Sequence, residues 1–233
     1  MPELPQRLQM LVDMLIPGQS TADIGADHAL LALYLVEKGM VPGVIIGELG
    51  DGPYQHARKA AVQSAVGRFK IEVRQGDGLQ VLHNGEVSNV ILAGMGGDTI
   101  TDILQYDKQK SCSYQHYVFQ PMSKAEALRQ LLADWGWPIL EERLIREKGH
   151  YYTAFSSRPG NSPYPLDILQ KYLGLDTLQA DNATIKDYLR YKLHRYQHVK
   201  QSLYRAGDQP QLQQKIQLYD QLQQRLEAMI DDM

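Results

Sequence analysis

The feature that most constrains this chain is a rhythm: short β-branched or apolar runs, each ending in a small or acidic residue, alternate with longer stretches of helical spacing. The runs fall near 20–24, 43–48, 70–74, 88–93 and 115–119, and the helical stretches near 28–39, 53–66, 97–105 and 123–135. Such alternation predicts an α/β fold of parallel strands joined by right-handed helical crossovers. A lead-in helix over 5–15 carries Leu8, Leu11, Val12, Leu15 and Ile16 at helical spacing and stops at Pro17-Gly18.

The pattern then changes. Residues 138–145 and 151–156 read as two strands separated by Glu147-Lys148-Gly149-His150, a turn so short that it joins only antiparallel strands. The breaker-rich segment 157–165 follows, and the natural boundary lies there, giving a sheet-based domain over 1–158 and a helical domain over 159–233. In the latter, Ile185, Leu189, Leu193, Tyr196, Val199 and Leu203, then Leu212, Ile216, Tyr219, Leu222 and Leu226, recur every three or four residues. Two long amphipathic helices with a short turn make an antiparallel, coiled-coil-like hairpin, with Asp208 as N-cap and Pro210 in the first turn of the last helix.

Four segments at predicted strand ends carry the chemistry. Asp23-Ile24-Gly25-Ala26-Asp27-His28-Ala29 places a glycine turn between strand and helix, where a ligand can approach the backbone. It is not the dinucleotide fingerprint, because glycine does not recur at the second and third positions. Glu48, followed by Leu49, ends the next strand where an acid can accept hydrogen bonds from both hydroxyls of a ribose. Asp77-Gly78-Leu79 offers an acid for an adenine edge and backbone to close over the ring, and Ala93-Gly94-Met95-Gly96 leaves open backbone above a bound ligand. Each alone also fits a plain tight turn with a solvated acid; together they converge on the crevice where open α/β sheets bind ligands. A mostly parallel sheet closed by an antiparallel hairpin is the arrangement of class I methyltransferases, with a Rossmann-like catalytic domain.

The runs DIGADHA, GELGDGPYQHA, GDGL, AGMGG and FQP, with an LR…W pattern and an E…KGHYY segment, resemble the bacterial tRNA (adenine(22)-N1)-methyltransferase family, TrmK. The likeness covers residues 8–157, and the helical part matches the family's coiled-coil domain in character rather than by motif. It implies an enzyme that moves the methyl group of S-adenosyl-L-methionine to N1 of adenine 22 in tRNA. The cofactor would then lie against Asp23, Gly25, Asp27, His28, Glu48, Leu49, Asp77, Gly78, Leu79, Ala93, Gly94, Met95 and Gly96. Asp27 is the expected catalytic acid, accepting from the adenine N6 amino group and orienting N1; contact with the cofactor's methionine amino group is the equal alternative. His28 is expected to be structural, since the reaction has no clear need of a base. The sequence departs from the family pattern at Ala26, Leu30 and Met122, and Met122 replaces an expected Asn with a side chain that cannot donate a hydrogen bond.

A formal net charge of -3 excludes indiscriminate polycation binding to nucleic acid, so any RNA contact must be local. Between Lys186 and Arg205 six basic residues face one acid, interleaved with Tyr188, Tyr191, Tyr196 and Tyr204. Lys186, Arg190, Lys192, Arg195 and Lys200 are the candidate RNA-binding residues, cations for phosphates and aromatic faces for bases; a solvated helix face with inward tyrosines is the competing reading. His194 and His198 lack further ligands beside them and Cys112 has no cysteine partner, so no metal site or internal disulfide is expected. The longest early apolar stretch is too short to span a bilayer and has no cleavage site after it, which leads to an expected cytoplasmic protein without a membrane partner. The oligomeric state stays open, with a monomer compatible. Two other functions fit the same features: a methyltransferase of a small molecule or protein, and a non-catalytic S-adenosylmethionine-binding module with a coiled-coil interaction arm.

Overall fold

The computed structural model describes residues 4–26, 28–174, 178–207 and 209–233. In chain order the elements are α1 (Gln6–Val12), β1 (Thr21–Ile24), α2 (Leu30–Glu37), β2 (Val44–Glu48), α3 (Asp51–Gln63), α4 (Gly67–Lys70) and β3 (Ile71–Gln75). A 3-10 turn over Gly78–Val81 leads to β4 (Asn89–Gly96), α5 (Gly97–Tyr106), α6 (Lys108–Ser111), β5 (His116–Ser123), α7 (Ala125–Trp135), β6 (Ile139–Glu147) and β7 (His150–Ser157). The chain closes with α8 (Ile168–Leu173), β8 (Leu178–Gln179), α9 (Asn182–Arg205) and α10 (Pro210–Asp231).

The eight strands form one sheet in the order β3-β2-β1-β4-β5-β7-β6-β8. Neighbours from β3 to β5 are parallel, β7 runs antiparallel to both β5 and β6, and β8 is parallel to β6. The expected Rossmann-like methyltransferase sheet, mostly parallel with an antiparallel hairpin, is the observed one. Successive strand residues face opposite sides, and each side has its own core. Leu11, Leu35, Ile46, Ile91 and Val118 pack beneath α1 and α2, whereas Leu92, Ile100, Leu104, Phe119, Leu132 and Trp137 pack beneath α5 and α7. Burial on both faces explains why the central strands read as continuous apolar runs rather than as alternating ones.

Element ends follow local chemistry. Asp181 caps α9 by accepting from the Thr184 backbone N–H at 2.9 Å, and Asp167 and Gln170 make a reciprocal capping box on α8. Pro210 occupies the first turn of α10, where its missing N–H costs nothing. Asp208, expected to cap that helix, lies outside the described residues.

Several elements differ from the sequence reading. β4 continues through Gly94-Met95-Gly96 with register shifts against β5, so this expected loop is an irregular strand end. β5 likewise runs on through Pro121 and Met122. α2 starts at Leu30, after Ala29 in the left-handed region (φ 55°), two residues later than helical spacing alone suggests. α8 and β8 escape periodicity because one is six residues long and the other two.

The C-terminal helices pack on the far edge of the sheet. Leu144 of β6 joins Leu173, Tyr188, Leu189, Leu222 and Leu226 in a third core, with Tyr151 of β7 against it. Beside this core Arg129 of α7 and Glu142 of β6 form a buried ion pair, and Arg129 also donates to the Lys171 carbonyl at 3.0 Å. Among the described residues no helix is long and apolar enough to cross a membrane.

Candidate functional site

A cleft of about 460 Å³ opens at the carboxyl ends of β1 and β4. Of the residues singled out in the sequence, it brings together Asp23, Gly25, His28, Ala93 and Gly94. It adds Arg7 and Leu8 from α1, Leu30 and Leu31 from α2, Met122 from β5 and Tyr152 from β7. Met122 was conspicuous as a departure from the family pattern; Arg7 and Leu8 had no local signal, because a lead-in helix is brought to a cleft only by the tertiary fold. Asp27 lies outside the described residues.

The glycines serve distinct purposes. Gly25 has φ +79°, a left-handed conformation that strains any other residue, and a Cβ there would also push aside the tip of Met95, whose Cε would lie 2.9 Å away. Gly94 also has a left-handed φ (+78°), but open space lies where its Cβ would be, leaving bare backbone facing the cleft. Ala29 supplies no side-chain cap to α2, so the first turn of that helix keeps backbone N–H groups for an anionic ligand group.

Asp23 lines the cleft, and a second acid, Glu48 at the end of β2, stands near it without lining the cleft itself. Asp23 and Glu48 are both buried, at 4% and 5% exposure. Burial, and then the neighbouring Glu48 carboxylate, push Asp23 up to about 7. The loop after β3 sits beside Glu48, since Gly76 donates its N–H to the Glu48 carbonyl at 2.9 Å. Asp77, Gly78 and Leu79 line a neighbouring cleft of about 290 Å³ with Thr99, Asp102 and Ile103. Leu49 is exposed at 67% next to Glu48, and Gly96 is the N-cap position of α5; neither lines the main cleft. This donor set fits a cofactor with ribose hydroxyls, an adenine and a cationic methionine moiety. The buried acids have the chemistry to accept from hydroxyl and ammonium groups, and the α2 N-terminus has the polarity to meet a carboxylate.

A second groove, about 110 Å³, continues from the cleft toward α9. Met122 and Tyr152 belong to both, and Gln120, Tyr151, Tyr188, Tyr191, Lys192 and Arg195 also line it. Tyr151 lies 5.1 Å from Tyr191 and 5.5 Å from Tyr188 by ring centroids. The Arg195 guanidinium sits 5.8 Å from the Tyr191 ring. Burial, and then the nearby Arg129 charge, lower Lys192 to about 8.

The other expected RNA-binding residues sit apart. Arg190 lies 3.8 Å from Asp187, Lys186 is on the first turns of α9, and Lys200 donates to Asp220 and Gln223 of α10, both at 2.7 Å. The α9 tyrosines divide: Tyr188 and Tyr196 are core residues, while Tyr191 and Tyr204 are exposed.

Comparisons with known proteins match this architecture along its length. Residues 4–155 match the family model described as a methyltransferase domain. The tRNA (adenine(22)-N(1))-methyltransferase of Bacillus subtilis is 30% identical over 233 residues, covering 98% of each chain. The crystal structure of the B. subtilis m1A22 tRNA methyltransferase TrmK superposes with a TM-score of 0.83 at 29% identity, covering 98% of this chain and 99% of that one. A Streptococcus pneumoniae putative tRNA (m1A22) methyltransferase, solved in complex with S-adenosyl-L-methionine, gives a TM-score of 0.75 at 28% identity, with 95% of this chain and 100% of that one covered. With 98% of each chain covered, sheet and helical hairpin alike, the chain is a member of the tRNA (adenine(22)-N(1))-methyltransferase family.

Proposed function

We propose that this protein transfers the methyl group of S-adenosyl-L-methionine to N1 of adenine 22 in tRNA. The observation that carries the reading is the end-to-end match to the B. subtilis enzyme, 98% of each chain, which includes the C-terminal hairpin as well as the sheet. A likeness confined to the sheet would speak only for a methyltransferase of some kind.

When bound, S-adenosyl-L-methionine supplies an electrophilic methyl group on a sulfonium. Glu48 accepts from the ribose hydroxyls, Asp77 holds the adenine edge with Gly78 and Leu79 closing over the ring, and Asp23 and the first turn of α2 face the methionine end. Gly25, His28, Leu49, Ala93, Gly94, Met95 and Gly96 complete the surround. Adenine N1 carries an in-plane lone pair, so no proton need be removed before attack, and positioning supplies the acceleration; well-aligned reactants gain up to roughly 7–11 kcal/mol in this way. Asp27 accepts from N6 of the target and stabilises the cationic product. The base is flipped from the folded tRNA, at a cost of a few kcal/mol.

Residues 1–158 act as the catalytic domain and 159–233 as the helical domain that grips the tRNA. Lys192 and Arg195 hold phosphates next to the cleft, and Lys186 and Arg190 extend the basic track along α9, whereas Lys200 is tied to Asp220 and Gln223. The reaction places the protein in the cytoplasm, where tRNA is. Incubation with unmodified bacterial tRNA and labelled S-adenosyl-L-methionine, followed by mapping of the modified nucleotide, tests the reading. The expected product is 1-methyladenine at position 22. Label in a small molecule or protein instead, or cofactor binding without turnover, overturns it.

A further inference from the structure

We propose that Gln120 reads the Hoogsteen edge of the target adenine, its carboxamide oxygen accepting from N6–H and its nitrogen donating to N7. This rests on the adenine-22 reading above and supplies the base recognition that Met122 cannot.

Gln120 stands near the carboxyl end of β5. By strand alternation it faces the same side as Val118, which belongs to the core beneath α1 and α2. Gln120 is 1% exposed, yet its Oε1 has no hydrogen-bond partner. Its Nε2 donates to Met122 Sδ at 3.3 Å, and a thioether is a weak acceptor. An amide buried in this state calls for a physical reason, because nearly all buried polar atoms in folded proteins are paired. Nothing in the packing of β5 supplies one, whereas its position does: Gln120 lines the groove that shares Met122 and Tyr152 with the main cleft. It therefore lies between the expected methyl donor and the basic, aromatic face of α9.

The chemistry selects the ligand. A carboxamide presents one acceptor and one donor in a plane, matched to the N6–H donor and N7 acceptor of adenine. Guanine offers two acceptors on that edge and would set O6 against the Gln120 oxygen, while pyrimidines have no N7. Holding adenine by its Hoogsteen edge leaves N1, on the Watson–Crick edge, free to meet the methyl group. Met122 covers the amide and is itself 55% exposed. Its unbranched side chain moves aside readily, giving up only a weak sulfur contact as the base enters.

The test compares tRNA carrying adenosine with tRNA carrying 7-deazaadenosine at position 22, which removes the N7 acceptor and leaves N1 and N6 in place. For the unaltered protein kcat/KM should fall about tenfold on the analogue, the loss of one hydrogen bond at the reacting base. Gln120→Leu should lower kcat/KM on normal tRNA by roughly ten- to a hundredfold, show no further loss on the analogue, and keep the Kd for S-adenosyl-L-methionine. Gln120→Glu, which accepts from N6 but repels N7, should work better on the analogue than on adenosine. Equal rates of the unaltered protein on the two tRNAs would overturn the assignment without needing any variant to fold, as would losses in Gln120→Leu that simply multiply. Failure of the unaltered protein to methylate adenine 22 at all overturns the parent reading, and this assignment with it.

Discussion

Replacing Asp23 with Asn should make the protein more stable above neutral pH while weakening its hold on the cofactor. Asp23 is 4% exposed beside a second buried acid, Glu48, and its carboxyl is raised from 3.8 to about 7. The folded state thus keeps a proton that the unfolded chain releases near pH 4. Protons bound to the native state favour it only while they stay bound, so this contribution is complete below about pH 4 and is lost as pH rises to about 7. A shift of about three units corresponds to roughly 4 kcal/mol, at 1.36 kcal/mol per unit, as an upper bound. Asn has no such titration. Urea unfolding of both proteins at intervals from pH 4.5 to 8.5 should give stability curves that diverge, with Asp23→Asn ahead by up to about 4 kcal/mol at the alkaline end. In the same variant the Kd for S-adenosyl-L-methionine should rise, and the increase in affinity expected of the unaltered protein between pH 6 and 8, as Asp23 ionises, should be absent. Parallel stability curves would refute the argument, since they would mean that the Asp23 proton is not linked to folding.

Other expectations follow from the same contacts. Arg129→Met removes the cation paired with the buried Glu142 and should cost about 3–5 kcal/mol in denaturant unfolding. Gly97→Ala drives a Cβ into the Lys124 backbone at the β4–α5 junction; it should lower the melting temperature clearly, whereas Gly94→Ser, which meets no neighbour but strains a backbone at φ +78°, should lower it less while also impairing methyl transfer. Lys192→Met with Arg195→Met should reduce the slope of log affinity for tRNA against log salt by about 2, with cofactor affinity unchanged. Asp27→Ala should lower methyl transfer at least tenfold, about 1.4 kcal/mol, with the cofactor Kd kept within a few-fold; loss of both together would assign Asp27 to the cofactor alone.

The sheet was legible in the sequence because its strands are buried on both faces, which concentrates β-branched residues in short runs bounded by small ones. Glycine and acid at the ends of those runs marked the crevice for the same reason: Gly25 and Gly94 hold backbone conformations that other residues avoid. What the sequence could not place were contributions carried in from far along the chain. Arg7, Leu8 and Tyr152 reach the cleft only through packing of α1 and β7. The α9 tyrosines looked alike in sequence, yet Tyr196 turns into the third core, Tyr188 both joins that core and lines the groove, and Tyr191 lies exposed on the groove, a division set by what packs against α9. Lys200 read as a free cation, but Asp220, twenty residues on, takes its charge.

The buried pair of Arg129 and Glu142 bears on how the chain is made. Both residues leave the ribosome well before their cover, which comes from the Lys171 carbonyl, from Leu178 beside Glu142, and from Tyr188. A nascent chain that has delivered β7 therefore holds a nearly complete sheet with a charged, half-dressed flank. Sealing that flank waits for α8, β8 and α9, all of which are made after the strands and helix they cover. Nonsense mutations after residue 158 should accordingly yield chains that are degraded, not chains that merely lose their grip on RNA.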